Sequence, residues 1–204
     1  MKRQIIAIHG GDTFNTHEEY VQFIKDWQLD FDRYRNGKKD WKGALGQTLG
    51  AEYEVVTPSM PNKMDAHYEE WKIWFEKFIP HLDPEVILIG HSLGGTFLIK
   101  YLAENTFPNR IAGLFLIAAP VGDNDHSEGG YSLATFVLPR DLSGVARQTS
   151  RIFLYQSKDD AVVSFADFTK LKKALPNAAA RNFTDRGHFN QEDFPELVTD
   201  IKGL

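Results

Sequence analysis

The 204-residue sequence contains no cysteine. That absence excludes disulfide bridges, thiolate metal ligands and a cysteine nucleophile together. It also removes the usual mark of adaptation to an oxidising compartment. Long apolar runs are missing too, and none approaches the roughly 20 residues needed to span a bilayer. The start, MKRQIIAIHGGD, is basic, but its apolar run covers only Ile5 to Ile8. A secretion signal needs a longer apolar stretch and a small-residue cleavage site, so a cytoplasmic protein is expected. No cluster of Lys and Arg stands out, and the net charge is -5. A nucleic-acid partner is therefore not expected. No repeat or low-complexity tract appears, and the length suits one domain spanning 1–204. The sequence assigns no oligomeric state.

What is present is an alternation of short apolar runs and longer amphipathic stretches. Gln4–Ile8, Glu54–Thr57, Val86–Ile89, Ile111–Ala118 and Ile152–Tyr155 are rich in β-branched residues and nearly free of internal polar positions. Strands covered on both faces have this composition, which predicts a parallel sheet. Ala180–Phe183 is a weaker sixth strand. Between these runs, Asp65–Ile79 carries Tyr68, Trp71, Trp74, Phe75, Phe78 and Ile79 at helical spacing. His17–Trp27, Ser92–Glu104, Phe165–Leu175 and Asp193–Ile201 also read as helices. The fold class is thus α/β, a mostly parallel sheet of about six strands with helices on both faces. Asp30–Gly50 is expected to extend the first helix and add a short one over Trp41–Leu49. Pro120–Ser150 is a long excursion of the kind that forms caps or lids.

The chemistry centres on Gly90-His91-Ser92-Leu93-Gly94, which follows the apolar run VILI and opens a helical pattern. This is G-x-S-x-G in the strand–turn–helix context of a nucleophile elbow. Glycines flanking the serine remove Cβ atoms that would clash in so sharp a turn. A serine hydroxyl needs a base, and the chain should supply an acid and then a histidine. Ser157-Lys158-Asp159-Asp160 follows the fifth apolar run, and Asp185-Arg186-Gly187-His188 follows the sixth. Both lie just past a strand, so both face the sheet edge where α/β folds bind ligands. His188 is the expected base. Asp160 is preferred over Asp159 as the acid, because Val163 three positions on can dock the loop. An oxyanion would be held by the Leu93 amide and by an amide of His9-Gly10-Gly11-Asp12, with Gly11 preferred over Asp12. Tyr131, Leu133, Phe136 and Val137 are candidates to line an acyl pocket; the plain alternative is an apolar cover on the sheet. His91 is expected to pack structurally. His17, His67, His81 and His126 lack metal-ligand spacing.

These residues resemble the α/β-hydrolase superfamily and, within it, the small serine hydrolases related to retinoblastoma-binding protein 9. The resemblance rests on Ile8–Asp12, Gly90–Gly95, Lys158–Val163 and, most specifically, Thr184–Phe189 with the acidic helix that follows. It implies a shortened hydrolase sheet, Asp160 as the acid, and hydrolysis of small ester or amide substrates without a cofactor. Asp30–Gly50 and Pro120–Ser150 have no clear counterpart in the shortest members. The expected activity is a serine esterase. A thioesterase, an acyltransferase or a non-catalytic binding protein on the same fold are the alternatives.

Overall fold

The computed structural model describes residues 2–36, 40–122 and 132–204. Among the described residues, six strands form one parallel sheet in the order β2-β1-β3-β4-β5-β6. They are β1 (Arg3–Ile8), β2 (Tyr53–Val56), β3 (Glu85–His91), β4 (Arg110–Ile117), β5 (Ile152–Ser157) and β6 (Ala179–Phe183). Every apolar run named from the sequence is a strand, including the weak sixth. β6 is an edge strand with no fully buried position, which is why its pattern is faint.

The strands sort their side chains by pleat. Ile6, Ile8, Val86 and Leu88 enter one apolar layer, and Ile5, Ala7, Ile87 and Ile89 enter the other. That period of two is the strand geometry itself. Each such Ile, Val or Leu side chain taken from water contributes about 1.5–3 kcal/mol, so the central strands anchor the fold.

Helices cover both faces. α1 (His17–Asp26), α2 (Phe31–Asn36) and α3 (Trp41–Leu49) connect β1 to β2. α4 (Tyr68–Glu76) precedes β3 and α5 (Leu93–Glu104) follows it. α6 (Ser143–Gln148), α7 (Phe165–Ala174) and α8 (Pro195–Lys202) complete the chain. Trp71 and Phe75 of α4 and Phe97 of α5 fill the first layer. Trp41 and Leu45 of α3, with Leu197 and Ile201 of α8, fill the second.

The expectation that Asp30–Gly50 extends the first helix is corrected. α1 stops at Asp26, because Trp27 turns extended (φ -63°, ψ 119°) while its N–H still caps the Ile24 carbonyl. A separate α2 follows, and α3 lies where expected.

The 120–150 excursion is tied to the body wherever it is described. Thr13 donates to the Ser132 carbonyl at 2.5 Å and Ser132 donates to Asn15 at 3.1 Å. The Tyr68 amide donates to the Thr135 hydroxyl. Lys100 donates to the Val137 carbonyl.

Candidate active site

Chain order reverses direction across the sheet between β1 and β3. The loops leaving the carboxyl ends of these two strands therefore diverge, the position at which open α/β sheets bind ligands. Ser92 occupies that position. Its backbone has φ 54° and ψ -128°, a conformation rare for any residue other than glycine. The strain is contained by its partners. The Ser92 N–H donates to the Ile117 carbonyl at 2.8 Å, and its own carbonyl accepts from Gly95 and Thr96.

The flanking glycines are required by contact. A Cβ on Gly90 would stand 2.5 Å from the Gly95 Cα, and one on Gly94 would strike the carbonyls of Ile8 and His9. The elbow is thereby pressed onto the β1 loop. A Cβ on Gly10 would lie 2.9 Å from the Ser92 Cβ and 3.3 Å from its Oγ. Leu93 opens α5, so its amide has no carbonyl four residues back within the helix.

The β1 loop is held in place by the 58–66 stretch. Met60 donates its N–H to His9 Nε2 at 2.9 Å. The same ring's Nδ1 lies 2.6 Å from the Gly10 carbonyl. Asp12 donates its amide to the Lys63 carbonyl and accepts from the Ala66 amide, each at 2.8 Å. Burial pushes the Asp12 carboxyl above its ordinary value.

Asp160 and His188 meet. His188 Nδ1 lies 2.9 Å from Asp160 Oδ2, with the Asp160 side chain fully buried and the His188 side chain 13% exposed. Asp160 Oδ1 accepts from the amides of Val162 at 2.8 Å and Val163 at 3.0 Å. Gln156 adds a donor to Oδ2 at 3.1 Å. Burial alone would raise the Asp160 carboxyl. The His188 ring and the two amides outweigh burial and hold it below the usual carboxylate range. An ionised Asp160 can only accept, so His188 Nδ1 carries the proton and Nε2 is left as a lone pair.

Asp159 does something different. Its Oδ1 accepts from the Gly187 amide at 3.0 Å and from the Ser157 hydroxyl. Ser157 Oγ in turn accepts from the Arg186 amide at 3.1 Å. The Ser157 hydroxyl, first among these, keeps the Asp159 carboxyl below its ordinary value. Asp159 thus shapes the turn before His188 and does not touch the imidazole.

His91, the residue before Ser92, packs against this pair. The His91 and His188 rings lie 4.9 Å apart, centroid to centroid. Among the described residues, the Asp160–His188 hydrogen bond is formed and a Ser92–His188 one is not. In empty active sites such catalytic bonds are often long and tighten when substrate enters.

The structure gives the placement of three candidates for an acyl pocket. Phe136 is fully buried, with Trp71 edge-on at 5.2 Å and Tyr68 at 5.8 Å. Leu133 is buried in the same layer. Val137 is a surface residue, 45% exposed. Tyr131 lies outside the described residues. So does His126.

The sequence reading missed Gln156, Ser157, and the role of His91, whose Nε2 lies 2.8 Å from the His188 carbonyl oxygen. Gln156 and Ser157 left a signal as polar residues ending the apolar strand IFLYQS.

The family model described as serine hydrolase matches residues 33–196. The rat (Rattus norvegicus) protein serine hydrolase RBBP9 is 27% identical over 155 residues, covering 74% of this chain and 78% of that protein. The ydeN gene product of B. subtilis superposes with a TM-score of 0.74 at 18% identity, covering 99% of this chain and 98% of that one. A thioesterase domain from the curacin biosynthetic pathway gives 0.60 at 13% identity, covering 98% and 91%. These structural likenesses establish an α/β-hydrolase fold. Together with the match over residues 33–196, they identify the chain as a member of the serine hydrolase family.

Proposed function

We propose that the protein is a carboxylesterase-like enzyme that cleaves a small ester through Ser92, His188 and Asp160. The observation that carries this reading is the 2.9 Å contact between His188 Nδ1 and the buried, ionised Asp160. That contact sets the tautomer whose Nε2 can accept a proton. Ser92, on its strained turn, is the nucleophile.

In the first half-reaction, Ser92 Oγ attacks the ester carbonyl carbon while His188 Nε2 takes the hydroxyl proton. The carbonyl oxygen becomes an oxyanion, held by the Leu93 amide at the start of α5 and by the Gly11 amide. Collapse breaks the bond to the alcohol oxygen, which leaves with the proton from His188. Water then attacks the acyl-Ser92, His188 takes its proton, and the acid departs with Ser92 restored. Asp160 stays ionised throughout and stabilises the imidazolium formed in each half.

The test is hydrolysis of p-nitrophenyl esters of rising chain length by the wild type and by Ser92→Ala. The expected result is turnover of the short esters, abolished in the variant. Turnover that survives the substitution would overturn the assignment.

A further inference from the structure

The role argued next for His91 rests on the triad reading. α3, in the connection between β1 and β2, grips the turn that carries His188. The Trp41 indole donates to the Phe189 carbonyl at 2.9 Å. Its main-chain N–H donates to the Gln191 carbonyl at 3.0 Å. The Trp41 ring stands edge-on to His91 with centroids 6.1 Å apart.

His91 completes the grip. Its Nε2 is 2.8 Å from the His188 carbonyl oxygen. A carbonyl only accepts, so Nε2 bears the proton. Lys42 Nζ stands 3.5 Å from Nδ1. An ammonium only donates, so Nδ1 presents its lone pair. Both contacts demand the same neutral tautomer. Lys42 is itself held by Asp40 at 3.1 Å, each side chain 12% exposed.

The turn has reason to need this support. Gly187 has φ 48° and Phe189 has φ 52°, so His188 sits between two left-handed residues. Phe189 is bulky, and its left-handed backbone is strained, so it persists only where the surroundings hold it. The peptide planes on either side of His188 set where its ring points.

We propose that His91 is a positioning residue for the base, acting through the His188 carbonyl, with Trp41 and Lys42 of α3 fixing His91 and the following peptides. The residue before the nucleophile thereby couples the nucleophile's turn to the base's turn.

The experiment compares His91→Leu with His91→Gln in p-nitrophenyl acetate hydrolysis. Gln places an N–H donor at nearly the reach of the imidazole Nε2. Loss of the clamp is expected to lower kcat by roughly 10- to 100-fold in His91→Leu, with KM changed by less than about 2-fold. Gln should restore most of that loss. Unimpaired kcat in the Leu variant, or a Gln variant no better than Leu, would overturn the proposal. Should His91→Leu fail to fold, Trp41→Phe keeps an aromatic side chain and removes the indole donor along with part of the ring volume. A kcat fall of about 3- to 10-fold is expected there, and an unaltered kcat overturns the proposal. Should the wild type show no ester turnover, the triad reading fails by itself, and ¹⁵N NMR of labelled histidines decides the clamp. A proton on His91 Nε2 at pH 7.5 upholds it, and a proton on Nδ1 overturns it.

Discussion

Replacing Asp160 by Asn removes one charge and almost no volume, so its effect reports on hydrogen-bond polarity. Oδ1 accepts from the Val162 and Val163 amides. An asparagine must keep its carbonyl oxygen there, or it sets two N–H groups against its own NH₂. Its NH₂ then faces His188 Nδ1, where Oδ2 now accepts at 2.9 Å. The ring must answer with a lone pair on Nδ1 and a proton on Nε2. That tautomer cannot take the Ser92 proton. In the well-studied serine protease template the same exchange lowers kcat about 10⁴-fold, equivalent to about 5.5 kcal/mol of transition-state stabilisation. A loss of that order is expected here in initial rates on p-nitrophenyl acetate at pH 7.5, with KM little changed. Asp159→Asn is the control. Its Oδ1 accepts from Gly187 and Ser157, and an amide oxygen can still do so. Its loss should stay within about 10-fold, the scale of one weakened neutral hydrogen bond. The reasoning fails if Asp160→Asn keeps kcat within about 10-fold of wild type, or if Asp159→Asn is the more damaged of the two.

Three further outcomes are expected. Phe136→Ala should destabilise the protein by about 3–5 kcal/mol in urea unfolding, and the ester chain-length preference should stay as in wild type; a shift in that preference without loss of stability would return Phe136 to the substrate pocket. Because the folded state holds Asp160 below its ordinary value of 3.8, its contribution to stability is complete above the unfolded value and disappears as pH falls through the folded one. The urea-unfolding gap between wild type and Asp160→Asn should be flat from pH 7 to about 5 and shrink below about pH 4, whereas a gap that widens in acid would reverse the sign argued here. Asp200 accepts two bonds from Arg181, at 2.8 and 2.7 Å, and one from the Tyr155 hydroxyl at 2.6 Å. It ties β5 and β6 to α8, so Asp200→Asn should cost about 2 kcal/mol, and an unchanged urea midpoint would refute that role.

Much of this was legible in the sequence where physics acts locally. Val86–Ile89 is buried on both faces, so its composition alone marks a central parallel strand. Gly90 is dictated by Gly94 and Gly95 close by in the chain and Gly94 by the distant Ile8 and His9, yet both read directly as G-x-S-x-G. Asp160 was separable from Asp159 only by the docking of Val163, and the structure gives the two carboxylates separate partners. The contacts that shape the His188 turn were not legible. Trp41 reaches Phe189 across 148 positions of chain and His91 reaches His188 across 97, and neither leaves a periodic trace. The break after Asp26 was missed because no Gly or Pro marks it. The stretch from Leu133 to Val137 was ambiguous for another reason. An apolar segment has one appearance in sequence whether it faces a core or a ligand.

The central claim is that Ser92 is a nucleophile activated by His188. Treating the protein with a fluorophosphonate and mapping the adduct by mass spectrometry of its peptides tests this most directly. One modified residue, Ser92, is expected, with labelling lost in His188→Ala. An adduct at another residue, or labelling of Ser92 at an undiminished rate without His188, would contradict the claim.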